Sequence, residues 1–378
     1  MLKNLLYTFF WIFLFLPSAQ AQVSNRFVSA YQHYQNGKDL YNKNQFGPSI
    51  IAFQKFTEMA PNAPQNYDAQ IYILLSKLKL QHKNTSRQLT RLALQNTGMP
   101  VNNFALFELG NHYFSKSKYR QAKKYYSKVD ASEYDYENYE KIQFNLGYSY
   151  FKINEMDVAK RRFERIKNKT TSPYYLRTNY FYGYICYAQK QFEEAIENWS
   201  KLGDKGPKTM QLQLAQIYYG KGDYKQAIEK AKLANINKLN QASDLLLGKC
   251  YFQQANYENA YIYLKNIDSD KLTNEEKAQI AYCEYLYEHP EKATALLSEI
   301  SSSEGSLGQM ANYYLAKTYL KNSDKKNAFS ALAISKNIEE DKNIQELSLF
   351  NYAKLCFELN RHTEAFSALE LFQKKYPK

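Results

Sequence analysis

A small residue followed twelve positions later by an alanine recurs through most of this chain: Gly110 and Ala122, Gly147 and Ala159, Gly183 and Ala195, Ala215 and Ala227, Gly248 and Ala260, Ala316 and Ala328, Ala353 and Ala365. With the weaker pair Ala281 and Ala293 included, successive small positions from Gly110 to Ala353 lie 32 to 37 residues apart. A fixed period of that size restricts the fold to a stack of like units, each contacting its neighbours. Function in such a stack is expected on an extended surface and seldom in a catalytic pocket.

The segment from Phe104 to Val129 shows one unit clearly. Leu106, Leu109, Gly110, Tyr113 and Phe114 precede a polar break at Ser115-Lys116-Ser117-Lys118, and Tyr119, Ala122, Tyr126 and Val129 follow it. Apolar residues at helical spacing on both sides of a short break predict a helix hairpin. Glycine inside a helix costs roughly 1 kcal/mol relative to alanine, so Gly110, Gly147, Gly183 and Gly248 need a reason. Close approach of the partner helix supplies one, and the alanine twelve residues on is expected to meet the gap from the other side.

These features resemble the tetratricopeptide repeat. Leu106, Leu109, Gly110, Tyr113, Tyr119, Ala122 and Tyr126 fill its places in one unit, and Leu146, Gly147, Tyr150, Ala159 and Phe163 in the next. Gly183, Phe192, Ala195 and Trp199 carry it further, as do Gly248, Tyr251, Tyr257, Ala260 and Leu264; near the start Gly37, Phe46, Phe53 and Pro61 fit, with Ser49 in place of the alanine. The resemblance implies an all-α, right-handed superhelical solenoid of about ten helix-turn-helix repeats. Residues 67–96 and 275–300 read as divergent repeats, the turn Glu288-His289-Pro290-Glu291 in the latter looking one residue short. Pro377 falls where the repeat's terminal proline belongs, which leaves continuation beyond residue 378 open.

Residues 1–21 stand apart from this pattern. Lys3, an apolar run from Leu5 to Leu16, Pro17 and then Ala19-Gln20-Ala21 read as a signal peptide, so the solenoid is expected over 22–378. The run is too short for the ~20 residues of a spanning helix, although an uncleaved anchor remains the alternative. No cysteine lies near the cleavage site for acylation. Export to the periplasm or cell surface of a Gram-negative bacterium is therefore expected. Cys186, Cys250, Cys283 and Cys356 fall in the first helices of different repeats and read as buried thiols, with Cys250 and Cys283 the one plausible disulfide pair.

Lys and Arg total 50 against 37 Asp and Glu, a net +13, yet no block of five basic residues occurs. Nucleic-acid binding needs clustered cations, so no such partner is expected. A basic exterior suits acidic proteins or peripheral contact with the outer membrane or its proteins. The five histidines are far apart, without a His-x-x-x-His or Cys-x-x-Cys pair, and there is no glycine-rich phosphate loop and no Gly-x-Ser-x-Gly elbow. Neither metal, cofactor nor catalytic residue is predicted, and His112 reads as a packing residue.

First helices line the inner face of such stacks, so the row after the small position is the candidate binding surface: Asn111, Tyr148, Tyr184, Gln216, Lys249, Lys317 and Lys354. A row six residues before the small position adds Lys141 and Arg177, and a third row carries Phe107, Phe144, Tyr180, Tyr313 and Phe350. Aromatics with scattered cations suit a protein or peptide ligand. Some members of the family clamp a terminal carboxylate, and Asn111, Asn145 and Arg177 match three of the clamp positions; Phe107 and Phe181 at the other two remove the needed cations. The expected function is a non-enzymatic interaction scaffold similar to secreted tetratricopeptide proteins of Bacteroidota. Surface carbohydrate binding or uptake, and the N-terminal scaffold of a longer envelope protein, are the alternatives.

Overall fold

The computed structural model describes residues 28–95, 99–235, 241–268 and 272–377. The expected signal peptide over 1–21 lies outside the described residues. Among them there is no strand, and no helix is long and apolar enough to cross a membrane. Among the described residues twenty α-helices pair in order into ten hairpins. Helix α1 (28–42) pairs with α2 (Phe46–Met59), α3 (Asn66–Lys79) with α4 (Thr85–Ala93), and α5 (Pro100–Ser115) with α6 (Tyr119–Tyr126). Then come α7 (Tyr136–Lys152) with α8 (Met156–Glu164) and α9 (Tyr175–Ala188) with α10 (Phe192–Ser200). After them follow α11 (Lys208–Gly220) with α12 (Tyr224–Ala234), α13 (Gln241–Gln253) with α14 (Tyr257–Leu264), and α15 (Asn274–Leu286) with α16 (Pro290–Ile300). The last pairs are α17 (Gly305–Lys321) with α18 (Lys325–Ser335) and α19 (Lys342–Glu358) with α20 (His362–Lys375). The chain forms two compact units, one ending at Leu202 and one starting at Gly203, so each holds five hairpins.

Within each unit the core is a series of local clusters, because each hairpin buries its apolar stripe against the next first helix. In the first unit Phe107, Ala122 and Tyr126 pack with Ile142 and Leu146 of α7; in the second, Ala215, Ala227 and Ala231 pack with Leu246, Leu247 and Cys250 of α13. All four cysteines are buried free thiols, Cys250 and Cys283 included.

The alanines at the twelve-residue offset are almost wholly buried, but they do not fill the glycine gaps. A Cβ added at Gly110 would meet the Tyr126 ring at 2.6 Å, one at Gly147 the Phe163 ring at 2.8 Å, and one at Gly183 the Trp199 indole at 2.5 Å. Gly37 faces Phe53 and Gly248 faces Leu264 in the same way. The occupant is thus the large residue sixteen positions on, one helical turn beyond the alanine. Alanine at the earlier turn lets the second helix lie close, and glycine then accommodates the large side chain. Where the small position is Ala215, Ala281, Ala316 or Ala353, the residue at sixteen is Ala231, Leu297, Leu332 or Leu369, never a ring. Ser49 substitutes for alanine because its buried hydroxyl donates to the Gly37 carbonyl at 2.8 Å.

The turns also differ from the sequence expectation. Ser115 ends α5, so that break is Lys116–Lys118, and the connection from α15 to α16 has the same three-residue length, 287–289. It is not one residue short. The middle residue adopts positive φ at Asn44, Ser117, Asn154, Lys190, Ala255, Glu288, Ser323 and Asn360, and Gly222 holds the matching place at 77°. Among the described hairpins the connection from α3 to α4 is longer, with five residues, 80–84. Left-handed backbone costs an L-residue about 1–2 kcal/mol, part of which glycine returns through its greater unfolded-state entropy. Ala255→Gly and Glu288→Gly should therefore each raise stability by about 0.5–1 kcal/mol in urea titrations. Unchanged midpoints would mean that these turns carry no strain.

Candidate partner-binding surface

The row after the small position proves to be a contact row between hairpins. Tyr148 stands edge-on to Phe114 of the preceding hairpin at 5.7 Å, and Tyr184 stands edge-on to Phe151 at 5.5 Å. In the second unit the Lys249 ammonium lies 5.4 Å over Tyr219, and Tyr282 meets Phe252 at 5.8 Å. Each rests on the ring four residues after the preceding small position. That supporting row comprises Phe114, Phe151, Tyr187, Tyr219, Phe252, Tyr285 and Phe357, and sequence reasoning passed over it. An aromatic recurring one turn after the small residue was the available signal.

The cations follow a similar rule. Lys141 lies 5.4 Å over Phe107, and the Arg177 guanidinium lies 4.6 Å over Phe144, so each sits on a ring of the previous first helix. Contacts of this geometry combine cation–π attraction with an apolar stem packed along the helix. Lys249 is further tied to Glu276 at 2.7 Å. Burial would raise the Glu276 carboxyl, but Lys249 and the Thr273 backbone amide outweigh it and hold the group below the usual carboxylate range.

Asn111 belongs to a polar chain: the buried Tyr126 hydroxyl donates to Asn111 Oδ1 at 2.7 Å and accepts from Asn145 Nδ2 at 3.0 Å. Two of the residues matching the carboxylate clamp are thereby engaged in packing the α5–α6 hairpin against α7. Burial raises the Tyr126 phenol well above its ordinary range, so it remains a donor at any physiological pH. Gln216 and Lys354 are exposed, and Lys317 is half-buried.

In the first unit Tyr148 and Tyr184 of this row and Phe114 and Phe151 of the supporting row are all half-buried, with the exposed Lys152 ammonium 5.5 Å over Tyr148. They offer stacking area and a charge. Burial pushes the Cys186 and Cys250 thiols up to about 11 and Cys283 up to about 12, where the reactive thiolate is scarce. Among the described residues no group of His, Cys, Asp and Glu could hold a metal ion. His112 is half-buried and edge-on to Tyr113 at 5.3 Å, its imidazole held below the ordinary range by burial and by Lys116.

Fold and surface together define a protein of repeated helical hairpins. Residues 142–169 and 347–378 match the tetratricopeptide repeat family; they span most of the α7–α8 and α19–α20 hairpins. No curated protein matches the chain. Similar solved structures include the C-terminal part of a TPR repeat-containing protein from Cytophaga hutchinsonii, 19% identical, covering 64% of this chain and 98% of that one, with a TM-score of 0.41. The P58(IPK) TPR domain is 16% identical over 93% of this chain and 100% of that one, at TM-score 0.27. Naa15/Naa10 bound to HypK-THB is 14% identical over 94% of this chain and 64% of that one, at TM-score 0.42.

Proposed function

We propose that this protein is an exported scaffold that binds protein or peptide segments on its first helices and performs no chemistry of its own. The observation that carries the reading is the half-buried ladder Phe114, Tyr148, Phe151 and Tyr184 beside Lys152. Rings already held by their neighbours lose little entropy on binding, which favours them as anchors. Export rests on the sequence of residues 1–21, and an envelope partner follows from it.

The test is capture of partners from an envelope extract with the wild-type chain and with a Tyr184→Ser, Lys152→Glu variant. Loss of specific partners by a variant whose circular dichroism shows it still folded is the expected result. Undiminished capture of every partner would dispose of this surface.

A further inference from the structure

The first unit carries most of the chain's excess charge: Lys and Arg outnumber Asp and Glu 25 to 15 over residues 28–202, against 23 to 22 over residues 203–378. Within this unit, and apart from the aromatic ladder, a pocket of about 290 Å³ opens between α3 and α5. Lys79, Gln81, His112 and Lys116 line it, with Glu108 and Asn111 in the same wall.

The acceptors of this pocket are already engaged. Its carboxylate, Glu108, is 9% exposed, pairs with Lys79 and accepts from Asn111 Nδ2 at 3.4 Å, while Asn111 Oδ1 is held by the Tyr126 hydroxyl. The donors are not. Among the described residues Lys116 and Lys118 have no carboxylate partner, and neither ring nitrogen of the half-buried His112 makes a hydrogen bond. Burial, then Lys116, Lys79 and Lys118, hold the His112 imidazole below its ordinary range. Lys79 comes from α3, Lys116 and Lys118 from the turn after α5, and Glu108 lies one turn back on the same helix as His112.

Spare donors beside an occupied carboxylate select a ligand that only accepts. We propose that the α3–α5 pocket binds phosphate, as the free ion or a small monoester, with Lys116, His112 and Gln81 as donors and Lys79 shared between the ligand and Glu108. Phosphate brings three strong acceptor oxygens and a charge of about −1.5 to −2 near neutral pH, which suits three separate donors better than the two oxygens of a carboxylate. The pocket is just under the range of about 300–1,000 Å³ usual for ligand sites, so the ligand is small. Binding is coupled to a proton. A bound dianion supplies the counter-charge that the imidazole lacks and raises its depressed pKa, so His112 takes up a proton with the ligand, and affinity falls as pH rises through the raised value.

The probes are inorganic phosphate, glycerol phosphate and sulfate, titrated into the full chain by calorimetry. Saturable binding of phosphate in the millimolar range or tighter is expected. Lys116→Glu and His112→Gln should each weaken it by about tenfold or more, and Lys55→Glu, at an exposed position of α2, should leave it unchanged. Binding of glycerol phosphate as well assigns the pocket to an ester; binding of phosphate alone assigns it to the free ion. Sulfate keeps its charge across the range in which histidine titrates, so its affinity should rise as pH falls through that range in the wild type and stay level in His112→Gln. Circular dichroism of each variant separates lost binding from misfolding, and Lys116 is exposed, so its variant tests the pocket whatever His112→Gln does to the fold. No saturable binding of either phosphate probe would overturn the proposal. So would an equal loss with Lys55→Glu and Lys116→Glu, which would show diffuse attraction to a basic surface.

Discussion

Trp199→Ala is expected to lower stability by about 3–5 kcal/mol, the range for emptying a large buried aromatic site. Trp199 is fully buried, and its indole nitrogen donates to the Tyr180 carbonyl at 3.0 Å. The substitution leaves a cavity between α9 and α10 and removes that hydrogen bond together. Relaxation of the site is limited because Gly183 presents no side chain to move into the space. The check is a denaturant titration followed by circular dichroism. A loss below about 1 kcal/mol would contradict the packing described, since ordinary surface substitutions lie in that range.

Gly183→Ala is expected to destabilise despite alanine's better helix propensity. Alanine gains roughly 1 kcal/mol over glycine inside a helix. The new Cβ, however, would stand 2.5 Å from Trp199 Nε1, and the indole cannot retreat without losing Tyr180. Overpacking of this kind costs typically 1–3 kcal/mol, so we expect a net loss of about 1–2 kcal/mol. Gly220→Ala is the control of opposite sign: nothing lies within 4 Å of that position, and a gain of about 0.5–1 kcal/mol should follow. The pair Ala281 and Leu297 shows the chain's own alternative to glycine opposite a ring. Gly183→Ala combined with Trp199→Leu should therefore lose less than the two single changes summed, by about 1 kcal/mol, as expected for residues in contact. Strict additivity would mean that the two positions do not meet.

Export, an envelope location and the carbohydrate alternative rest on sequence alone, whereas the hairpin architecture is visible in every described helix. Asn111 and Lys249 illustrate why the surface was less legible than the fold. Both carry polar groups at the register expected for a binding face, yet one joins Tyr126 and Asn145 and the other joins Glu276. Their partners come from other helices, at sequence distances that local periodicity does not encode. The aromatic row containing Phe114 and Phe151 was within reach of the sequence, since it recurs one turn after the small position. Its role as the support for Tyr148 and Tyr184 was not.

Helical spacing of apolar residues and the period of the small positions determined, without coordinates, that the chain is all-α and that its helices pair as about ten hairpins. These properties are local, because the 3.6-residue repeat writes them directly into the order of side chains. Tertiary structure alone decided that glycine faces the residue at sixteen rather than the alanine at twelve, that the middle residue of eight three-residue turns takes positive φ without being glycine, and that Phe357 and Phe366 are exposed while Phe252 and Tyr261 are half-buried. Those outcomes depend on how closely two helices approach and on whether a third lies over them, which are distances set by packing.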